Sequence, residues 1–194
     1  MSVSTEERFK QNFLTLVEIC EEMVEDGNSL GHSQLTPLMF SVIRIVVGRL
    51  EGKFLLERFI RKTHQHWGKI KEKDLEYFKT KGIELFNMAE EKGIDGMVDS
   101  DEKGITSGLS LSHISSFKEL LSIKYKDSAG NEVSIFDDDR VDMTWRILHS
   151  FVKQSISYIH ETRAMVDGEY TKDYFPNINV KENAQQWNIK KIAQ

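Results

Sequence analysis

The sequence predicts a mainly α fold: a multi-helix bundle around a buried central helix at about residues 140–165, with one small β-hairpin at about residues 122–136. Three observations carry this reading. Residues 137–164, DDDRVDMTWRILHSFVKQSISYIHETRA, are apolar on two helical faces. Val141, Trp145, Leu148, Val152, Ile156 and Ile159 fall on one stripe, and Ile147, Phe151, Tyr158 and Met165 on a second. Only Arg146, Ser150, Lys153, Ser157 and His160 form a polar wedge, so such a helix needs neighbours on both sides. Singly amphipathic helical patterns with start signals precede it, and one pair of alternating runs flanks a cluster of turn residues.

The elements follow in order. Ser4 and Glu7 form a capping box, after which Phe9, Phe13, Leu16, Cys20 and Val24 recur on one face of an outer helix that Asp26-Gly27-Asn28 should end. Thr36-Pro37 is a second start signal, an N-cap followed by proline at the first helical position. The segment after it, LMFSVIRIVVGRLEG, is apolar nearly all round and too long for one strand. It predicts a buried helix, with Gly48 and Gly52 breaking it or permitting close packing. Leu56, Phe59, Ile60, Thr63, Trp67 and Ile70 then mark the apolar face of one helix over residues 53–71, whose other face is basic. Asp74 can cap a further helix carrying Leu75, Phe78, Leu85 and Phe86 inward. Residues 93–108 hold four glycines and several acids, which predicts a surface loop, and a short helix should start at Ser110 or Ser112. SIKYK and EVSIF around Asp127-Ser128-Ala129-Gly130-Asn131 predict the hairpin, the only sheet expected. One of Asp137, Asp138 or Asp139 caps the central helix. Beyond Asp167-Gly168 the chain reads as extended, with a short helix containing Trp187 at the end. The expected organisation is one helical domain over residues 1–166 and an extended tail over 167–194 whose terminal helix docks on it.

Composition bounds the function. Cys20 is the only cysteine, which excludes an intramolecular disulfide or a thiolate zinc site and fits a reducing, intracellular compartment. The amino terminus has no apolar signal region, and the longest apolar run is interrupted by Arg44 and too short to cross a bilayer. A soluble protein is expected. The formal net charge of -5 disfavours nonspecific binding of nucleic acid.

Catalytic and metal signatures are sparse. The acidic run from Asp99 imitates the start of a calcium loop, yet Lys103 stands at the fifth position and Ser110 at the twelfth, where a carboxylate should be. His64 and His66 lie two apart and point to different helical faces, whereas a shared metal needs a spacing of three or four. Phosphate, dinucleotide and acyl-transfer motifs are missing, so neither a catalytic residue nor a metal ligand nor a cofactor is assigned. His149, His160, Asp142 and Glu161 are the scattered residues from which an enzyme site would have to be assembled.

Charge segregation is the strongest functional signal. Between positions 44 and 73 stand nine basic residues (Arg44, Arg49, Lys53, Arg58, Arg61, Lys62, Lys69, Lys71 and Lys73) and three acids (Glu51, Glu57 and Glu72). Arg58, Arg61, Lys62 and Lys69 are the candidate partner-binding residues, for docking onto an acidic protein, an anionic membrane or nucleic acid. The competing reading is a solvated face balanced by Glu18, Glu21, Glu22, Glu25 and Asp26 of the first helix.

Two blocks, ERFIRKTHQHWGKIKEKDLEYFKTKGIELF at residues 57–86 and DMTWRILHSFVKQSISYIHETR at residues 142–163, resemble paired segments in uncharacterised helical proteins of nucleocytoplasmic large DNA viruses such as iridoviruses and marseilleviruses. The likeness covers about a quarter of the chain and rests on aromatic and aliphatic positions. It implies a viral protein made in host cytoplasm and incorporated in virions, and it transfers no functional residue. Together these readings predict a non-enzymatic interaction or structural protein, a virion or assembly component, that contacts a protein partner or a second copy of itself. The alternative is a nucleic-acid-binding regulatory protein.

Overall fold

The computed structural model describes residues 3–31, 36–81, 121–166, 169–172 and 175–193. They form α1 (Thr5–Ser29), α2 (Pro37–Arg49), α3 (Gly52–Thr63), a 3-10 turn (His64–His66), α4 (Trp67–Lys71), a helical stretch over 75–81, strands β1 (Lys124–Lys126) and β2 (Glu132–Ser134), α5 (Asp138–Thr162), strands β3 (Ala164–Val166) and β4 (Glu169–Lys172), α6 (Val180–Gln186) and α7 (Lys190–Ala193). The molecule is a helical bundle with a hairpin. The expected loop over 93–108, its acidic calcium-like run, and the short helix after it lie outside the described residues.

The central helix α5 is enclosed as its two apolar faces require. Trp145, Val152, Ile156 and Ile159 are buried on one side, and Ile147, Phe151 and Tyr158 on the other. Arg146, Lys153 and His160 of the polar wedge are exposed. Asp137 caps it by accepting from the Arg140 amide at 2.8 Å, and Asp138 and Asp139 place negative charge against the positive helix start.

α1 packs one face against α2, α3 and α5 and leaves the other, with Glu7, Gln11, Glu18, Glu22 and Glu25, exposed, as expected of an outer amphipathic helix. Its aromatic side chains explain this. Phe9 and Phe151 lie 4.4 Å apart between ring centroids, Phe59 and Phe151 5.3 Å, and Phe9 and Phe59 5.5 Å, so three rings lock α1, α3 and α5 together. A Cβ at Gly52 would collide with the Glu6 backbone carbonyl, so glycine is what lets α3 start against α1. Ser4 caps α1 as its sequence suggests, accepting from the Glu7 amide at 3.2 Å. The helix runs through Asp26-Gly27-Asn28, with Gly27 buried, and the positive φ falls on Gly31.

A second cluster, Val17, Met23, Val24, Phe40 and Ile135, joins the other half of α1 to α2 and the hairpin. β1 and β2 pair antiparallel, with Tyr125 opposite Val133. Asp127 closes the turn: its carboxylate accepts from the Asn131 and Ala129 amides, each at 2.9 Å, and the bonds from the Asn131 amide and side chain, then from Ala129, hold it below the usual carboxylate range. Gly130 supplies the positive φ.

Two further expectations change. Residues 53–71 do not form one helix: α3 stops at Thr63, a 3-10 turn follows, and α4 restarts at Trp67. Side chains take over at the junction. Thr63 Oγ1 donates to the Phe59 carbonyl at 2.8 Å and accepts from Trp67 Nε1 at 3.1 Å, while His64 Nδ1 meets the Ile60 carbonyl at 3.1 Å. A second antiparallel ladder also forms: the central helix stops at Thr162, so Met165, expected on its second stripe, lies in β3, which pairs with β4 from the stretch expected to be extended, with an irregularity between Ala164 and Met165. The terminal segment brings Phe175, Ile178, Val180, Ala184 and Trp187 into the main core. Arg163 holds it there, donating to the Phe175 and Ile178 carbonyls at 3.1 and 2.9 Å.

Candidate interaction surface

α3 presents the basic residues because its opposite face is fully spent on the core. Leu56 and Ile60 are buried and Leu55 and Phe59 pack beside them, which leaves Arg58, Arg61 and Lys62, at i, i+3 and i+4, on the outward side. Arg61 is exposed, and its guanidinium lies over the Phe175 ring at 5.1 Å from the centroid. Arg58 and Lys62 are half-buried and make further contacts within the chain. Glu57, on the flank, accepts from the Tyr158 hydroxyl at 2.6 Å and has Lys53 Nζ at 4.0 Å, so α3 is fastened to α5 beside the basic edge.

Lys69 stands apart from these three. It lies on α4, beyond the 3-10 turn, and its ammonium binds Asp74 at 2.9 Å and Glu72 at 3.1 Å while sitting 5.6 Å from the Tyr77 ring centroid. The Asp74 and Glu72 contacts raise the Lys69 pKa, and the Lys69 hydrogen bond followed by the Tyr77 amide lowers that of Asp74. Asp74 also caps the helical stretch over 75–81 through that amide at 3.0 Å. The sharp turn before it is a Schellman ending to α4. Lys73, at φ 55, takes the left-handed position, with the Asp74 amide donating to the Lys69 carbonyl and the Lys73 amide to the Ile70 carbonyl, both at 3.1 Å.

Other basic residues of the segment are matched within the chain. Arg44 pairs with Glu21 of α1, and Lys73 with Asp142 at 3.5 Å. The acids of α1 are engaged in part by the same means, Asp26 receiving Arg140 at 2.7 Å. Part of the charge segregation seen in the sequence is therefore internal pairing.

The histidines and acids singled out for an enzyme site do not converge. Asp142 and His160 are five turns apart on one helix, about 27 Å along its axis. Asp142 binds Lys73 and Arg146, His160 is exposed, and Glu161 accepts from Thr5 Oγ1 at 3.4 Å. His149 meets the Ile70 carbonyl at 2.9 Å and stands edge-on to Trp187, tying α4, α5 and the terminal segment together. His66 Nδ1 meets the Tyr77 hydroxyl at 2.7 Å; burial, and then nearby His64, lower its pKa. Burial pushes the Cys20 thiol up to about 12, which keeps it protonated and unreactive. Among the described residues no group of three His, Cys, Asp or Glu side chains could hold a metal ion, and no helix is long and apolar enough to cross a membrane.

The charges of α3 are visible in the sequence, but the side chains that anchor that helix are not. Phe175 under Arg61, and Tyr158 on Glu57, are more than a hundred residues away in sequence, and no local pattern announces them. Compared with protein-family models, with curated proteins and with solved structures, the chain matches none.

Proposed function

We propose that this is a non-enzymatic interaction protein that docks an acidic protein partner against α3. The observation that carries the reading is the placement of Arg58, Arg61 and Lys62 along one side of a helix whose other side is anchored in the core. Cations on a rigid element favour a specific contact, because little ordering entropy remains to be lost when the partner arrives. Arg61 is further restrained by its contact with Phe175. Lys69 stands apart on α4, and Asp74 and Glu72 already offset its charge, so its share of the contact is the smallest of the four.

The resemblance of residues 57–86 and 142–163 to helical proteins of large DNA viruses supports a role as a virion or assembly component in an intracellular setting. The enzyme reading loses support from the separation of Asp142 and His160 and from the internal partners of His149 and Asp142.

The test is an affinity pull-down from the native source with Arg58→Glu, Arg61→Glu and Lys62→Glu combined. An acidic protein that co-purifies with the wild type should be lost with the variant, while Lys69→Glu alone weakens capture least. Unchanged capture by the triple variant would remove the proposal. Capture replaced by nucleic acid, with affinity falling steeply as salt rises, would move the assignment to a nucleic-acid-binding regulator.

A further inference from the structure

We infer that the outer face of α2 is a contact between two copies of this chain, paired antiparallel about a two-fold axis. The face carries more apolar surface than an exposed helix side ordinarily does. Leu38 is 72% exposed and Ile45 56%, half-buried Val42 lies between them, and all three share one side at i, i+4 and i+7. Phe40 and Val47 point the other way and are buried. Among the described elements, α1 is the one that packs extensively against α2.

The charges beside this face say which occupant it takes. Glu21 of α1 reaches Ser41 and Arg44, and Lys10 donates to the Gly48 carbonyl at 2.7 Å, so α1 and α2 run antiparallel. The start of α2 therefore lies beside the acidic end of α1, where Glu22 and Glu25 are exposed. The end of α2 carries exposed Arg49, which also makes a contact within the chain, and, just beyond it, exposed Lys53, 4.0 Å from Glu57. A two-fold axis near Val42 places the basic end of each copy over the acidic end of the other, making the surface complementary to itself. A helix of 13 residues, about 20 Å long, is too small alone for the roughly 800 Å² per partner of a standard interface. The contact must take in the charged edge of α1 alongside, so the dimer is weak and salt-sensitive.

Sedimentation equilibrium of the full purified chain over a range of concentrations and salt tests this. The wild type should associate to a dimer, with dissociation favoured by added salt. Leu38→Glu with Ile45→Glu should weaken association by at least about tenfold, as expected for residues at the centre of a contact, with an unchanged circular dichroism spectrum. Arg49→Glu and Glu25→Arg should each weaken it, and together restore it, because each reversal then faces its opposite in the other copy. A chain that stays monomeric at high concentration overturns the inference, as does a dimer indifferent to the Leu38 and Ile45 changes. Losses from the two charge reversals that merely add would refute the antiparallel arrangement.

Discussion

α2 and α5 read alike as sequences and end differently in the fold. Both are apolar around most of the helix, and both were expected to be buried. α5 meets α1, α3, α4 and the terminal segment on its two faces, and its large apolar residues from Trp145 to Ile159 are closed off except for half-buried Leu148. α2 meets α1 and the hairpin cluster and leaves Leu38 and Ile45 in the open. Apolar periodicity reports how many faces a helix could bury. How many it does bury depends on neighbours that the rest of the chain supplies, and those lie far away in sequence.

The largest expected effect comes from the enclosed helix. Phe151→Ala empties the contact of three aromatic rings and should destabilise the protein by about 3–5 kcal/mol, measured by urea unfolding. Gly52→Ala attacks the same region from the backbone side. Its new Cβ meets the Glu6 carbonyl, so α1 and α3 must separate, at a cost of about 1–3 kcal/mol in the same assay. An unchanged midpoint for either would mean that the α1, α3 and α5 junction is looser than described. On the open helix, Ile45→Ser should stay within about 0.5 kcal/mol of the wild type when measured at low protein concentration.

A smaller effect distinguishes the histidine turn from both helices. The His66 pKa lies below its ordinary 6.5, so the unfolded chain takes up a proton more readily than the folded one as acid is added. The stabilising contribution is present above pH 6.5 and is lost as pH falls through the lower folded value. His66→Gln should flatten that part of the stability profile, and an identical slope in the variant would show that another group sets it. Asp74 acts in the same direction further into acid, its contribution being lost as pH falls below the ordinary carboxylate value of 3.8.

The parts of the fold legible in the sequence were those fixed by neighbouring residues. Ser4 and Asp74 cap the helices that their positions announce, and of the three candidate aspartates Asp137 caps α5, since a cap needs only an oxygen three residues before an amide. The hairpin turn was legible for the same reason, as Asp127 and Gly130 act within five residues. The break at residues 64–66 was hidden because Thr63 and Trp67 sit at apolar-face spacing and would equally fit an unbroken helix. The ladder of β3 and β4 did leave a signal: Asp167-Gly168 is a turn dipeptide between two β-rich runs, read instead as a boundary. At the candidate surface, Arg58, Arg61 and Lys62 were visible as charges on one helix side. The neutralisation of Lys69 was not, because it needs the left-handed Lys73 to swing Asp74 back toward it.

Amide hydrogen exchange, resolved residue by residue under native conditions, tests the contrast between the two helices most directly. The amides over residues 147–159 of α5 should exchange only through global unfolding, with the α2 amides near Leu38 and Ile45 opening locally at a clearly lower free energy. Exchange in the middle of α5 as fast as in α2 would contradict the enclosure of the central helix.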